Sequence, residues 1–163
     1  SVVVPTIEGA RPILVELQAL VADSSLPSPR RSAQGIDAGR LSMVLAVVER
    51  RVGLPLAKLD VFALAVGGVR VVEPGADLAL ALAVASALRG HPVPPDLVAC
   101  GEIGLGGELR QVAHTPRRLA EAARLGFKRA VVPYSAPQEV EGIHLVRVGT
   151  LTDAIDRLGL LDP

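Results

Sequence analysis

The 163-residue chain carries 17 basic and 17 acidic side chains, so no net charge draws it as a whole toward nucleic acid or anionic lipid. Half of its residues are hydrophobic but only 2% are aromatic, which predicts an aliphatic core and scant material for a base-stacking platform. One cysteine, Cys100, excludes an internal disulfide and a multi-cysteine metal site, and the longest apolar stretch, from Leu78 to Leu88, is too short to span a bilayer.

In chain order, residues 1–22 hold two β-rich stretches, VVVPTIEG and ILVELQALV, separated by Arg11-Pro12. In the second, Leu14, Glu16 and Gln18 alternate with Val15, Leu17 and Ala19, the period of a long strand with one wetter face. The Ser-, Pro- and Gly-rich run DSSLPSPRRSAQGIDAG reads as a loop or mobile hairpin. Residues 40–52 place Leu41, Val44, Leu45, Val48 and Val52 on one helical face, and Gly53 ends that helix. Residues 60–66 and 69–72, joined by Gly67-Gly68, read as a hairpin. Glu73-Pro74-Gly75 then turns into a helix over 76–89 that is apolar nearly all round and therefore buried, and Gly90-His91-Pro92 stops it.

Residues 97–103 and 108–112 read as a second strand pair around Gly104-Leu105-Gly106-Gly107. Thr115 is expected to cap a helix with Pro116 at its first position, running to Leu125. Strands over 129–133 and 144–148 and a helix opened by Thr150 complete the chain. Hairpins mixed with crossover helices predict one domain of α/β class, α+β in type, with helices packed on a mixed sheet. The opening at Ser1 reads as a piece cut from something longer, and a reducing cytoplasm is the expected home of the single thiol.

The chemistry-bearing residues offer little. The Gly104–Gly107 turn leads into a strand and no Gly-Lys-Ser/Thr occurs, so neither a P-loop nor a dinucleotide fingerprint is present. His91, His114 and His144 have no partners at metal-ligand spacing, so no metal site is expected. Ser42 and Ser86 lie inside helices, and no Ser stands in a Gly-x-Ser-x-Gly elbow. Cys100 reads as a small buried hydrophobe within a strand.

The order of words nevertheless forms a pattern. Glu73-Pro74-Gly75-Ala76-Asp77, an apolar helix, Gly90-His91-Pro92-Val93, Gly101-Glu102-Ile103-Gly104-Leu105-Gly106-Gly107-Glu108-Leu109, Ala122-Ala123-Arg124-Leu125-Gly126-Phe127 and Val131-Val132-Pro133 resemble the proteolytic domain of Lon proteases. That resemblance implies a Ser nucleophile opening the apolar helix and a Lys base early in the next one, a pair that needs both members. Here the two positions fall on Gly75 and on or beside Pro116, so the dyad is absent and the expectation is that this domain is not an enzyme.

A fuller resemblance is to the C-terminal Lon-like domain of RadA/Sms DNA-repair proteins. It is carried by Arg11-Pro12-Ile13-Leu14-Val15-Glu16-Leu17-Gln18, Pro29-Arg30-Arg31, Gly35-Ile36-Asp37, Arg51-Val52-Gly53-Leu54, Val66-Gly67-Gly68-Val69, Ala76-Asp77-Leu78-Ala79 and Gly126-Phe127-Lys128-Arg129-Ala130. The resemblance implies a recombination and repair factor with a zinc finger and a RecA-like ATPase upstream. ATP, Mg and Zn would belong to those domains and no cofactor to this one. It also implies a homo-oligomer, a hexameric ring, that binds double-stranded or branched DNA and supports branch migration. The rival reading is a degenerate peptidase fold kept as a peptide- or protein-binding module.

The DNA contacts expected are Arg30, Arg31 and Arg40, because no acidic residue lies between Asp23 and Asp37, with Arg129 as a further contributor. Of the 17 basic residues only Lys58 and Lys128 are lysine. Arginine makes forked contacts to phosphate, so binding should be weakly sequence-dependent.

Overall fold

The computed structural model describes all residues, 1–163. Strands β1 (Val2–Glu8) and β2 (Arg11–Asp23) form an antiparallel hairpin turned at Gly9-Ala10, so Pro12 lies inside β2, opposite Ile7. Next come β3 (Arg31–Gln34), α1 (Ala38–Val47) with a π-helical turn over Val48–Val52, and β4 (Leu59–Ala65). A 3-10 turn, Pro74–Ala76, leads into α2 (Asp77–Arg89), followed by β5 (Leu97–Ala99), β6 (Glu102–Ile103) and β7 (Leu109–Arg110). The chain closes with α3 (Thr115–Arg124), β8 (Arg129–Pro133), β9 (His144–Val148) and α4 (Leu151–Arg157).

Seven strands make one mixed sheet in the order β3-β4-β2-β1-β5-β8-β9, and β6 and β7 pair separately. Only β2 runs against the others, since β1 and β4 are both antiparallel to it and every remaining pairing is parallel. This is the expected mixed-sheet, α+β architecture. The wetter face of β2 also appears: Val15 and Leu17 are buried, and Gln18 and Leu20 are exposed.

The main core lies on one face of the sheet, where α1, α2 and α4 meet Val15, Leu17, Val61, Ala63 and Ala65. Helix α2 is its centre, with every residue from Asp77 to Ser86 buried, as its all-round apolarity predicts. On the other face α3 packs Leu119 and Ala122 against Val98, Ala130 and Val132. Asp37 starts α1 by accepting the N–H of Arg40 at 3.0 Å, and Gly53 (φ 88°) ends the π-helical turn.

Several expectations are corrected. The hairpin expected at Gly67-Gly68 does not form, because both edges of β4 are already taken by β2 and β3. Instead the N–H of Val71 donates to the Gly35 carbonyl at 2.6 Å, and Val71 bridges Ile36. Gly35 (φ 74°) is needed there, since a Cβ would stand 2.5 Å from the Val69 carbonyl oxygen. The run read as a loop contains β3, whose Arg31 and Ala33 turn inward while Ser32 and Gln34 face out. His114 (φ 64°), not Thr115, occupies the cap of α3; the Thr115 hydroxyl donates to Val112 O at 2.7 Å. Cys100 is buried, as expected, but follows β5 rather than lying in it.

Leu82 is wholly buried in α2. Leu82→Ala should therefore cost about 2–5 kcal/mol through lost burial and the cavity left behind. Urea unfolding followed by circular dichroism checks this, and a loss below about 1 kcal/mol would mean that α2 is not the centre of the core.

Candidate functional site

The nucleophile position of the dyad, Gly75, lies in the turn that opens α2, beside the carboxyl end of β5. The Gly101 N–H donates to Gly75 O at 3.0 Å and the Leu78 N–H to Gly101 O at 3.1 Å, pinning the turn to the residues after β5. Gly75 is buried, and a Cβ built on it would meet Arg118 Nη1 and Val112 Cγ2, each at 3.1 Å. The room a nucleophile would need is filled by an arginine.

Arg118, on α3, is 3% exposed and forks onto Glu73, Nη1 to Oε1 at 2.5 Å and Nη2 to Oε2 at 2.8 Å. It also donates to Ala113 O at 2.9 Å and Pro5 O at 3.1 Å. A guanidinium so fully engaged keeps its proton and cannot serve as a base. Pro116 is exposed on the first turn of α3 and offers no proton-accepting side chain. Nearby Cys100 is no substitute nucleophile, because burial pushes its thiol up to about 12 and keeps it neutral.

A second pair braces the same turn. The buried Asp77 carboxylate accepts from Arg40 Nε at 3.0 Å, from Arg40 Nη2, and from the Ile103 N–H at 3.2 Å. Burial pushes the Asp77 carboxyl above its ordinary range, while Arg40 and the Ile103 N–H pull against that shift.

The four arginines expected to touch DNA divide into two groups. Six of the seven strands run the same way, so the amino ends of β3, β4, β8 and β9 share one end of the sheet. That end gathers Arg30, Arg31, Lys58, Lys128, Arg129 and His144. Arg40 stands elsewhere, at the opposite end beside the start of α2, where it is 26% exposed and held by Asp77. Across five strand spacings and a four-residue offset in register, Arg31 lies roughly 27 Å from Arg129.

The gathered arginines are oriented rather than free. Arg30 is 62% exposed, with Nη2 3.3 Å from Asp60 Oδ2, and its N–H donates to Asp60 Oδ1 at 2.6 Å. Arg31 donates to the Leu56 carbonyl at 2.8 Å and has no carboxylate partner. Arg129 is 39% exposed and pairs with Asp96 at 2.8 Å. Each retains further donors, since a guanidinium carries five N–H groups. Lys128 is legible in the sequence as the neighbour of Arg129, whereas only the strand order brings in Lys58.

No group of three His, Cys, Asp or Glu side chains converges in a way that could hold a metal ion. The Gly104–Gly107 loop joins β6 to β7 instead of opening a helix. That loop therefore forms no phosphate cradle at a helix N-terminus. No helix is long and apolar enough to cross a membrane.

Residues 44–136 match the family model described as subunit ChlI of Mg-chelatase. The chain belongs to that family. Alongside this chelatase-subunit match stand relatives named DNA repair protein RadA. The Pseudomonas aeruginosa protein is 51% identical over 160 residues, 97% of this chain and 35% of its own length. Those of Synechocystis and Escherichia coli are 50% identical over 91% of this chain, which spans 30% and 33% of their lengths. Identity of this order over most of the chain supports kinship with the RadA/Sms family.

The chain thus spans about a third of the length of these relatives. The expectation that it is not an enzyme is corrected: neither the RadA relatives nor the chelatase-subunit match supports it. The missing dyad spoke only to peptide hydrolysis, and that was too narrow a basis for the wider statement.

The Arg30 N–H, before all else, holds the Asp60 carboxyl below its usual range. A lowered folded-state value means stability that is full above the unfolded value of about 3.9 and lost as pH falls through the folded one. Asp60→Asn should lower the melting temperature near neutrality and flatten its decline below about pH 4. Thermal melts across that range check this; an unchanged acid slope would show that Asp60 does not fix Arg30.

Proposed function

We propose that this chain is the Lon-like part of a RadA/Sms-type DNA repair and recombination protein, and that it binds double-stranded or branched DNA through phosphate contacts. The observation that carries the reading is the identity of about half, over nearly the whole chain, to proteins named DNA repair protein RadA. On this reading the whole protein is an ATPase, with a zinc finger and a RecA-like motor upstream, working in the cytoplasm. The chain described here assembles as a hexameric ring and leaves peptide bonds intact, in keeping with Gly75, Pro116 and the Arg118–Glu73 pair. The ring supports branch migration driven by the motor.

Arg30, Arg31 and Arg129 are the contacts proposed, because they share the amino end of the sheet and keep donors toward solvent. Arg40 braces α2 instead. With zero net charge, one chain alone binds weakly, and repetition around a ring multiplies modest contacts.

Each phosphate neutralised adds about 0.9 to the slope of log affinity against log salt. Arg30→Ala with Arg31→Ala should weaken binding to unrelated duplexes alike and flatten that slope by about 2. Salt-titrated fluorescence anisotropy reads both quantities. A folded double variant with unchanged affinity and slope would remove this end of the sheet from the DNA surface.

A further inference from the structure

Helices α1, α2 and α4 cover one face of the sheet, and α3 covers only part of the other, above β1, β5 and β8. Over β3, β4 and the later part of β2, around Gln18 to Leu20, that second face is bare. It forms an open groove of about 860 Å³, a size that holds small-molecule ligands. Strand register sets Ser32, Phe62 and Leu20 in one row across the groove and Gln34, Leu64 and Gln18 in the next. Leu20 is 62% and Leu64 37% exposed, and Phe62 belongs to neither apolar core.

The composition of this groove is specific. One aromatic ring and two leucines are flanked by two carboxamides and two hydroxyls, those of Ser1 and Ser32, groups that both donate and accept. The Arg30 guanidinium stands 5.9 Å from the Phe62 ring centroid, at the rim nearest the gathered basic groups. No carboxylate lines the groove. Glu16 lies beyond the Gln18 end, accepting from that amide at 3.3 Å, and Asp60 is buried behind Arg30. A flat ring, neutral hydrogen-bonding groups beside it and a cation over part of its face match a base, its polar edge and its phosphate. The buried centre of an interface between copies would be more apolar than this.

Resting on the nucleic-acid reading above, we propose that the bare half-face is a stacking platform for an unpaired nucleotide, with Phe62 beneath the base and Arg30 on its phosphate. The few aromatics in the sequence argue against a platform of many rings; the fold supplies one ring on an open sheet. A branched substrate offers unpaired bases beside a duplex arm, so platform and basic end would engage one molecule together.

The chain has no Trp, so Phe62→Trp is a single-site reporter. Titration with a thymidine oligonucleotide of about ten residues should quench its fluorescence by stacking. Phe62→Leu, which keeps an apolar side chain but no ring, should lose about tenfold in affinity for that oligonucleotide. Its duplex affinity should stay unchanged, whereas the Arg30/Arg31 double variant loses both. Duplex binding with no quenching, and equal oligonucleotide affinity for Phe62→Leu, would overturn the platform alone. A chain that binds no nucleic acid at all would overturn both readings. A Phe62→Leu variant that loses solution mass but not oligonucleotide affinity would assign the face to a contact between copies. Should Phe62→Leu fail to fold, the Phe62→Trp titration still decides.

Discussion

A helix buried on every side must have its charged start satisfied from within the protein, and α2 imposes that demand on everything around it. Asp77 lies buried in its first turn and cannot be left bare in a low-dielectric interior, and Glu73 just before it is only 24% exposed. Arg40 from the first turn of α1 and Arg118 from α3 meet these two carboxylates from different sides. Removing one partner of such a buried pair typically costs about 3–5 kcal/mol, because the other charge is stranded. The pairs therefore set where α1 and α3 sit relative to the sheet, and through them which parts of its two faces are covered. The same geometry accounts for the filled space beside Gly75: the arginine that neutralises Glu73 occupies the place where a reacting side chain would need to stand.

The sheet then separates two kinds of arginine. At its carboxyl end Arg118 is buried and Arg40 largely so, and both are held by carboxylates and concerned with packing. At its amino end Arg30, Arg31 and Arg129 are only partly engaged, and their partners orient them without enclosing them. Because β2 alone is reversed, residues far apart in sequence arrive at this one end. A protein of zero net charge thereby acquires a local basic edge, the distribution that phosphate contact requires.

Much of the fold was legible because burial leaves a periodic trace. The all-apolar α2, the alternation of β2 and the Gly53 stop all appear where the pattern placed them. What failed depended on partners distant in sequence. Gly67-Gly68 signals a chain reversal, but whether a hairpin follows depends on a free edge of β4, which local sequence does not record. Strand β3 escaped notice because four edge residues, RSAQ, carry too little alternation to register. The basic cluster was partly legible: three of its arginines could be picked out by their local surroundings, but their common placement could not. The separation of Arg40 was invisible, since its partner Asp77 lies 37 residues away. Arg118 was legible only as one of a basic pair with Arg117, and its pairing with Glu73, 45 residues away, was not.

The central claim is that this chain meets DNA at the amino end of its sheet and not at the vacant dyad position. Hydrogen–deuterium exchange with and without a saturating DNA duplex tests it most directly, because it reports every segment without mutation. The account predicts slowed exchange around Arg30–Arg31, Lys58 and Lys128–Arg129, with no change at Gly75–Asp77 or the start of α3. Protection centred on Gly75 and Arg118, with none at the strand amino ends, would contradict it.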